Sequence, residues 1–96
     1  MFNIFEANKI YKPKFQELER RNLTAEELAL ADSAKVVESN YGLSVEIAMK
    51  NGAGTIYIPL SIDSKGKLGD IVDVTKLIIV LIQRPGEEIK NRAFIE

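Results

Sequence analysis

The chain has neither cysteine nor histidine. Without cysteine there is no disulfide framework and no thiolate, a composition that fits a cytoplasmic protein. Without histidine the commonest general base is missing, and zinc, copper or haem sites built on these two residue types are excluded. No apolar run approaches the roughly eighteen residues of a membrane span, and no basic stretch leads into an apolar core and cleavage site at the N-terminus. A dominant charge is lacking as well. Lys and Arg number 13 against 14 Asp and Glu, a net charge of −1, so affinity for phosphates must come from clustering rather than from bulk charge. The expectation is a cytoplasmic protein with no membrane contact and no cofactor.

Much of the chain is strand-like. In residues 43–50 the apolar side chains Leu43, Val45, Ile47 and Met49 recur at a period of two, which puts one face in a core and the other in water. Residues 55–60 repeat the pattern with Ile56, Ile58 and Leu60 inward, and Asn51-Gly52-Ala53-Gly54 between the runs supplies residues that tolerate positive φ. The two runs predict a hairpin. Pro59 lacks an N–H and marks an edge, a bulge or the end of pairing. Residues 77–82 are continuously apolar and β-branched, bounded by Lys76 and Arg84-Pro85-Gly86, and read as the most buried strand. After that turn, residues 87–95 place Ile89, Asn91, Ala93 and Ile95 on one face and Lys90, Arg92 and Phe94 on the other. Shorter strands are expected over 34–39, ending at Asn40-Tyr41-Gly42, and over 71–74. The predicted core is Leu43, Val45, Ile47, Ile56, Ile58, Leu60, Val72, Val74, Ile79 and Leu81.

The first third differs. Phe15 and Leu18 stand at i and i+3 among charges, which predicts a helix around 14–21, and Thr24-Ala25-Glu26-Glu27 has capping-box spacing for a second helix over about 25–31. Residues 1–11 carry Phe2, Ile4, Phe5, Ile10 and Tyr11, too apolar for a free tail and periodic in neither sense. The fold class that results is mainly β, α+β in its layout: a small antiparallel OB-like barrel of about five to six strands over residues 33–96, with an N-terminal arm and helix over 1–32, all in a single domain. A barrel of about 60 residues is marginal by itself, so the arm is expected to pack on it or on a neighbouring subunit.

Chemistry-bearing motifs are scarce. Gly66-Lys67 lacks the upstream glycine of a phosphate-binding loop, and residues 63–70 lack calcium-loop spacing. Asp70 and Asp73 would point to opposite faces of a strand, and the serines have no histidine to activate them. Hence no catalytic residue, no metal ligand and no enzymatic activity are expected. Charge is uneven: Lys9, Lys12, Lys14, Arg20 and Arg21 outweigh Glu17 and Glu19, whereas Glu26, Glu27 and Asp32 make the next segment acidic. Ser64-Lys65-Gly66-Lys67 reads as a solvated turn.

Aromatic placement is the remaining clue. Tyr57 faces outward in mid-strand, Tyr41 sits in a turn, and Phe94 shares a face with Lys90 and Arg92; such rings either stack bases or cover the core. The segments Lys35-Val36-Val37-Glu38-Ser39, Tyr41-Gly42-Leu43-Ser44-Val45, Tyr57-Ile58-Pro59-Leu60, Leu68-Gly69-Asp70-Ile71-Val72-Asp73 and Leu81-Ile82-Gln83-Arg84-Pro85-Gly86-Glu87 together resemble the small OB-fold, single-strand-binding-like proteins of phages and mobile elements. The resemblance spans about residues 34–95. It implies binding of single-stranded DNA along one face by Tyr57, Phe94, Lys50, Lys90 and Arg92. The chain departs from that pattern in its near-neutral charge, in an outward Glu46 and in the lack of a long acidic tail. A second expectation is a protein-interaction or oligomerisation module, in which Phe2, Phe5 and Phe15 dock onto a partner or a second copy.

Overall fold

Residues 16–40 and 42–96 are described by the computed structural model, and they contain β1 (Gln16–Asn22), α1 (Ala25–Leu30), β2 (Ala31–Ser39), β3 (Gly42–Met49), a 3₁₀ turn (Lys50–Gly52), β4 (Thr55–Pro59), β5 (Ile71–Val72), β6 (Ile78–Gln83) and β7 (Lys90–Phe94). The strands form two antiparallel sheets, a three-stranded one ordered β1-β6-β7 and a four-stranded one ordered β4-β3-β2-β5. Their facing sides share one core of Ala34, Val36, Val45, Ile47, Leu77 and Ile79, closed at its margins by Leu43, Ile58, Leu60, Val74 and Leu81. Burying a side chain of this size contributes about 1.5–3 kcal/mol.

The alternation in β3 and β4 becomes pairing from Ser44 opposite Pro59 to Ala48 opposite Thr55. The turn between them uses positive φ at Asn51, Gly52 and Gly54, conformations that glycine adopts without steric cost and asparagine tolerates. Pro59 ends β4, which is an edge strand. Beyond it the Leu60 N–H still donates to the Leu43 carbonyl at 2.9 Å, while the Ser61 N–H donates to the Ala93 carbonyl at 2.8 Å. The chain thus crosses from one sheet to the other between Leu60 and Ser61, just past the proline.

Three expectations need correction. The barrel is not closed: β4 and β7 meet in a single parallel bridge between Leu60 and Ala93, and the two sheets otherwise stay separate. The helix expected around 14–21 is strand β1 from Gln16 onward, paired with β6 from Gln16 opposite Gln83 to Asn22 opposite Ile78. β6 is apolar on both faces and needs a neighbour on each edge, and that tertiary demand overrides the local i,i+3 signal. The N-terminal third therefore contributes a sheet strand, and its described helix is only the short α1. Finally, Ile56 lies opposite the buried Ile47 but is 47 % exposed, because the sheets part at this end. Val36, Leu77 and Val80, absent from the predicted core, are almost fully buried. The α1 capping box forms as predicted: the Glu27 N–H donates to Thr24 Oγ1 at 3.1 Å, and the Thr24 N–H donates to Glu27 Oε1 at 2.9 Å.

Candidate functional site

β7 carries the densest group of the expected binding residues. Its register sets Lys90 opposite Ile82, Arg92 opposite Val80 and Phe94 opposite Ile78, all on the side of the sheet turned away from the shared core. On the other flank β1 sets Arg20 opposite Val80. Val80 is only 2 % and Ile82 9 % exposed, although no second sheet packs on this side among the described residues. Arg20 and the half-buried Arg92 flank Val80 on this side.

Beside this strip runs a groove of about 650 Å³, walled by Pro59, Leu60, Ser61 and Ile62 on one side and by Ile82, Lys90 and Arg92 on the other. Ile62 is fully exposed. The Arg20 guanidinium stacks over the Phe94 ring, 4.8 Å from its centroid. Arg20 Nε also donates to Glu17 Oε1 at 2.7 Å, and a terminal nitrogen lies 3.7 Å from Asp63 Oδ2. A hydrogen bond from Ser61 Oγ, 2.6 Å away, is the main reason that the Asp63 carboxyl is held below its usual range, with Arg20 assisting.

The other expected residues lie elsewhere. Tyr57 is on the outer face of the four-stranded sheet, in a cross-strand row with Lys35 and Glu46. Lys35 Nζ is 3.8 Å from Glu46 Oε1. The negative charge of Glu46 pushes the Tyr57 hydroxyl up, and its carboxylate also accepts the hydroxyl's hydrogen bond. That neighbour repels phosphate. Lys50 opens the 3₁₀ turn at the end of β3. The fold thus brings Lys90, Arg92 and Phe94 together and leaves Tyr57 and Lys50 apart from them. Phe2, Phe5, Phe15 and Tyr41 lie outside the described residues.

A second groove, of about 370 Å³, opens where β4 and β7 diverge. Leu23, Leu30, Ile47, Ile56, Ile58 and Ile79 line it. Its rim holds the Arg21–Glu27 pair, with Nη1 to Oε1 at 2.6 Å and Nη2 to Oε2 at 3.3 Å. The Arg21 hydrogen bond, reinforced by the Thr24 backbone N–H, lowers the Glu27 carboxyl from 4.5 to about 2. Sequence reading missed both Arg20 over Phe94 and Arg21 on Glu27. Each depends on 16–22 being a strand, and that segment has no apolar alternation to announce one.

The carboxylates considered as a pair are turn residues. Asp70 Oδ2 accepts from the Lys67 N–H at 2.8 Å, and Asp73 Oδ1 accepts from the Thr75 N–H and hydroxyl at 3.0 and 2.7 Å. Among the described residues no group of three or more acidic side chains is placed to hold a metal ion, and no helix is long and apolar enough to cross a membrane. Comparison with protein-family models, curated proteins and solved structures gave no match to this chain.

Proposed function

We propose that this protein is a non-enzymatic binding module that takes single-stranded nucleic acid along the outer face of β7, in the manner implied by its resemblance to small single-strand-binding proteins. The observation that carries this reading is the row Lys90, Arg92 and Phe94, which shares one side of β7 and borders the groove walled by residues 59–62. Cations at two positions match successive phosphates, and an aromatic ring in the same row offers a base a stacking surface. Arg20 already lies over that ring, so a base stacks on the guanidinium plane or takes its place. Glu17 and Asp63 beside Arg20 offset part of the positive charge. Binding is therefore weak, tolerant of sequence and sensitive to salt.

The test is fluorescence anisotropy of a labelled oligothymidylate at about 50 mM and about 200 mM salt. Lys90→Ala and Arg92→Ala should weaken binding and flatten its salt dependence, and Phe94→Ala should cost about 1–3 kcal/mol through lost stacking. Tyr57→Ala and Lys50→Ala, away from this row, should change little. A folded protein that binds no oligonucleotide at the lower salt would falsify the reading.

A further inference from the structure

The apolar groove between β4 and β7 is not used by a nucleic acid on the outer face. We propose that it receives residues 1–11 of a second copy of this chain, added as an extra strand beside β4.

Three observations point to this occupant. First, β4 is the edge of its sheet, and on the groove side no strand pairs with it among the described residues. An open edge is a template for strand addition unless charged side chains blunt it. The other long edge strands are charged, β1 carrying Glu17, Glu19, Arg20 and Arg21 and β7 carrying Lys90 and Arg92, whereas Thr55, Ile56, Tyr57 and Ile58 in β4 are all uncharged. The open edge of β4 is thus unprotected, and Leu30 and Ile56 beside it are about half exposed at 57 % and 47 %. Second, the chain itself contains a segment of matching chemistry, since Phe2, Ile4, Phe5, Ile10 and Tyr11 precede the described residues. Third, β1 starts at Gln16 opposite Gln83, whereas the groove is bordered by Arg21 and Leu23 at the far end of that strand. The arm is therefore joined to the end of β1 remote from Arg21 and Leu23 at the groove of its own copy. The residues before Gln16 reach about 50 Å when extended, ample for a neighbouring copy. A two-fold arrangement makes the exchange reciprocal, each copy giving one arm and receiving one.

The absence of native cysteine makes the test direct. Phe5→Cys and Ile56→Cys, the latter on the groove side of β4, are introduced into separate full-length chains, which are mixed and oxidised. The expected product is a disulfide-linked pair at twice the 10.7 kDa chain mass, formed in higher yield than from either variant alone. In sedimentation equilibrium the unmodified chain should be a dimer. Ile56→Asp and, separately, Phe2→Asp with Phe5→Asp should each reduce it to a monomer with unchanged circular dichroism. Leu30→Asp serves as the groove variant if Ile56→Asp does not fold. A monomeric unmodified chain overturns the proposal, as does a dimer that survives both the groove and the arm substitutions. Efficient internal closure of a chain bearing both cysteines, with no linked pair from the mixture, places the arm on its own copy and also overturns it.

Discussion

Alternate residues of β7 face two unlike grooves. Asn91 turns toward the apolar groove with Ile56 and Ile79, whereas Lys90 and Arg92 turn toward the outer groove with Ile62 and Ile82; Pro59 borders both. The strand supplies the same backbone to each side, so the difference comes from what stands opposite. Inside, a second sheet presents Ile47 and Ile58, and any open space there is apolar by construction. Outside, no second sheet packs on the strand among the described residues, and Lys90 and Arg92 flank the apolar strip. A period of two in one short strand can therefore serve two partners of opposite chemistry, provided that the opposing layers differ.

The largest expected effect separates floor from wall. Ile79 is buried in the shared core and floors the apolar groove, so Ile79→Ala should cost about 2–5 kcal/mol. Ile62 is a fully exposed wall of the outer groove, and Ile62→Ala should stay within about 0.5 kcal/mol. Urea unfolding of both variants measures the contrast, and equal losses would erase the distinction between the grooves.

A smaller effect is expected where the outer wall is fastened. The Lys65 N–H donates to the Ile95 carbonyl at 3.0 Å, and the Ile95 N–H donates to Ser64 Oγ at 2.8 Å. Gly66 has φ +128°, and a Cβ there would approach Ile95 Cδ1 to 3.1 Å and Val36 Cγ2 to 3.5 Å. Gly66→Ala combines backbone strain with crowding and should cost about 1–3 kcal/mol. Hydrogen exchange should show Ser61 and Lys65 losing protection while β3 amides keep theirs. Uniform loss across both sheets would mean that the loop is not a separately anchored wall.

Much of the fold was legible where a strand has one wet face. The alternation in β3, β4 and β7 predicted both the strands and their orientation, since Ala93 is buried and Lys90, Arg92 and Phe94 share the other side. The cap at Thr24 and Glu27 was legible because it is local in sequence. β1 was not. Its residues are all exposed except the half-buried Arg21, so no apolar period exists, and its state is decided by β6 far along the chain. The open seam was equally hidden: Ile56 obeys the same alternation as Ile58, and only the divergence of two sheets exposes one more than the other. The candidate site was half legible, as the β7 row can be read from sequence but its partner Arg20 cannot.

A finer test alters the charge of the outer groove alone. Glu17 and Asp63 hold Arg20 at 2.7 and 3.7 Å, so Glu17→Gln and Asp63→Asn remove negative charge near Lys90 and Arg92 without touching the apolar groove. Oligonucleotide affinity should rise with each substitution at low salt and converge with the unmodified protein as salt increases. The mass in solution should not change. A shift in mass with either substitution would show that the two grooves are coupled.

The smallest effect lies at the rim of the apolar groove and depends on pH. Glu27 titrates at about 2 in the folded chain against 4.5 ordinarily, held down first by the Arg21 hydrogen bond and then by the Thr24 backbone N–H. Because the folded value is depressed, the carboxylate contributes stability above the ordinary value, and that contribution is lost as pH falls from 4.5 through about 2. The two side chains are 33 % and 42 % exposed, so solvent screening limits the contribution to about 0.5–1 kcal/mol. Glu27→Gln should lower the urea midpoint near neutral pH, and the gap from the unmodified protein should narrow steadily once the pH drops below 4.5. Added salt should shrink the same gap at neutral pH. A difference that holds constant down to the lowest pH at which both proteins remain folded would assign the loss to packing at the α1 cap instead of to the Arg21 pair.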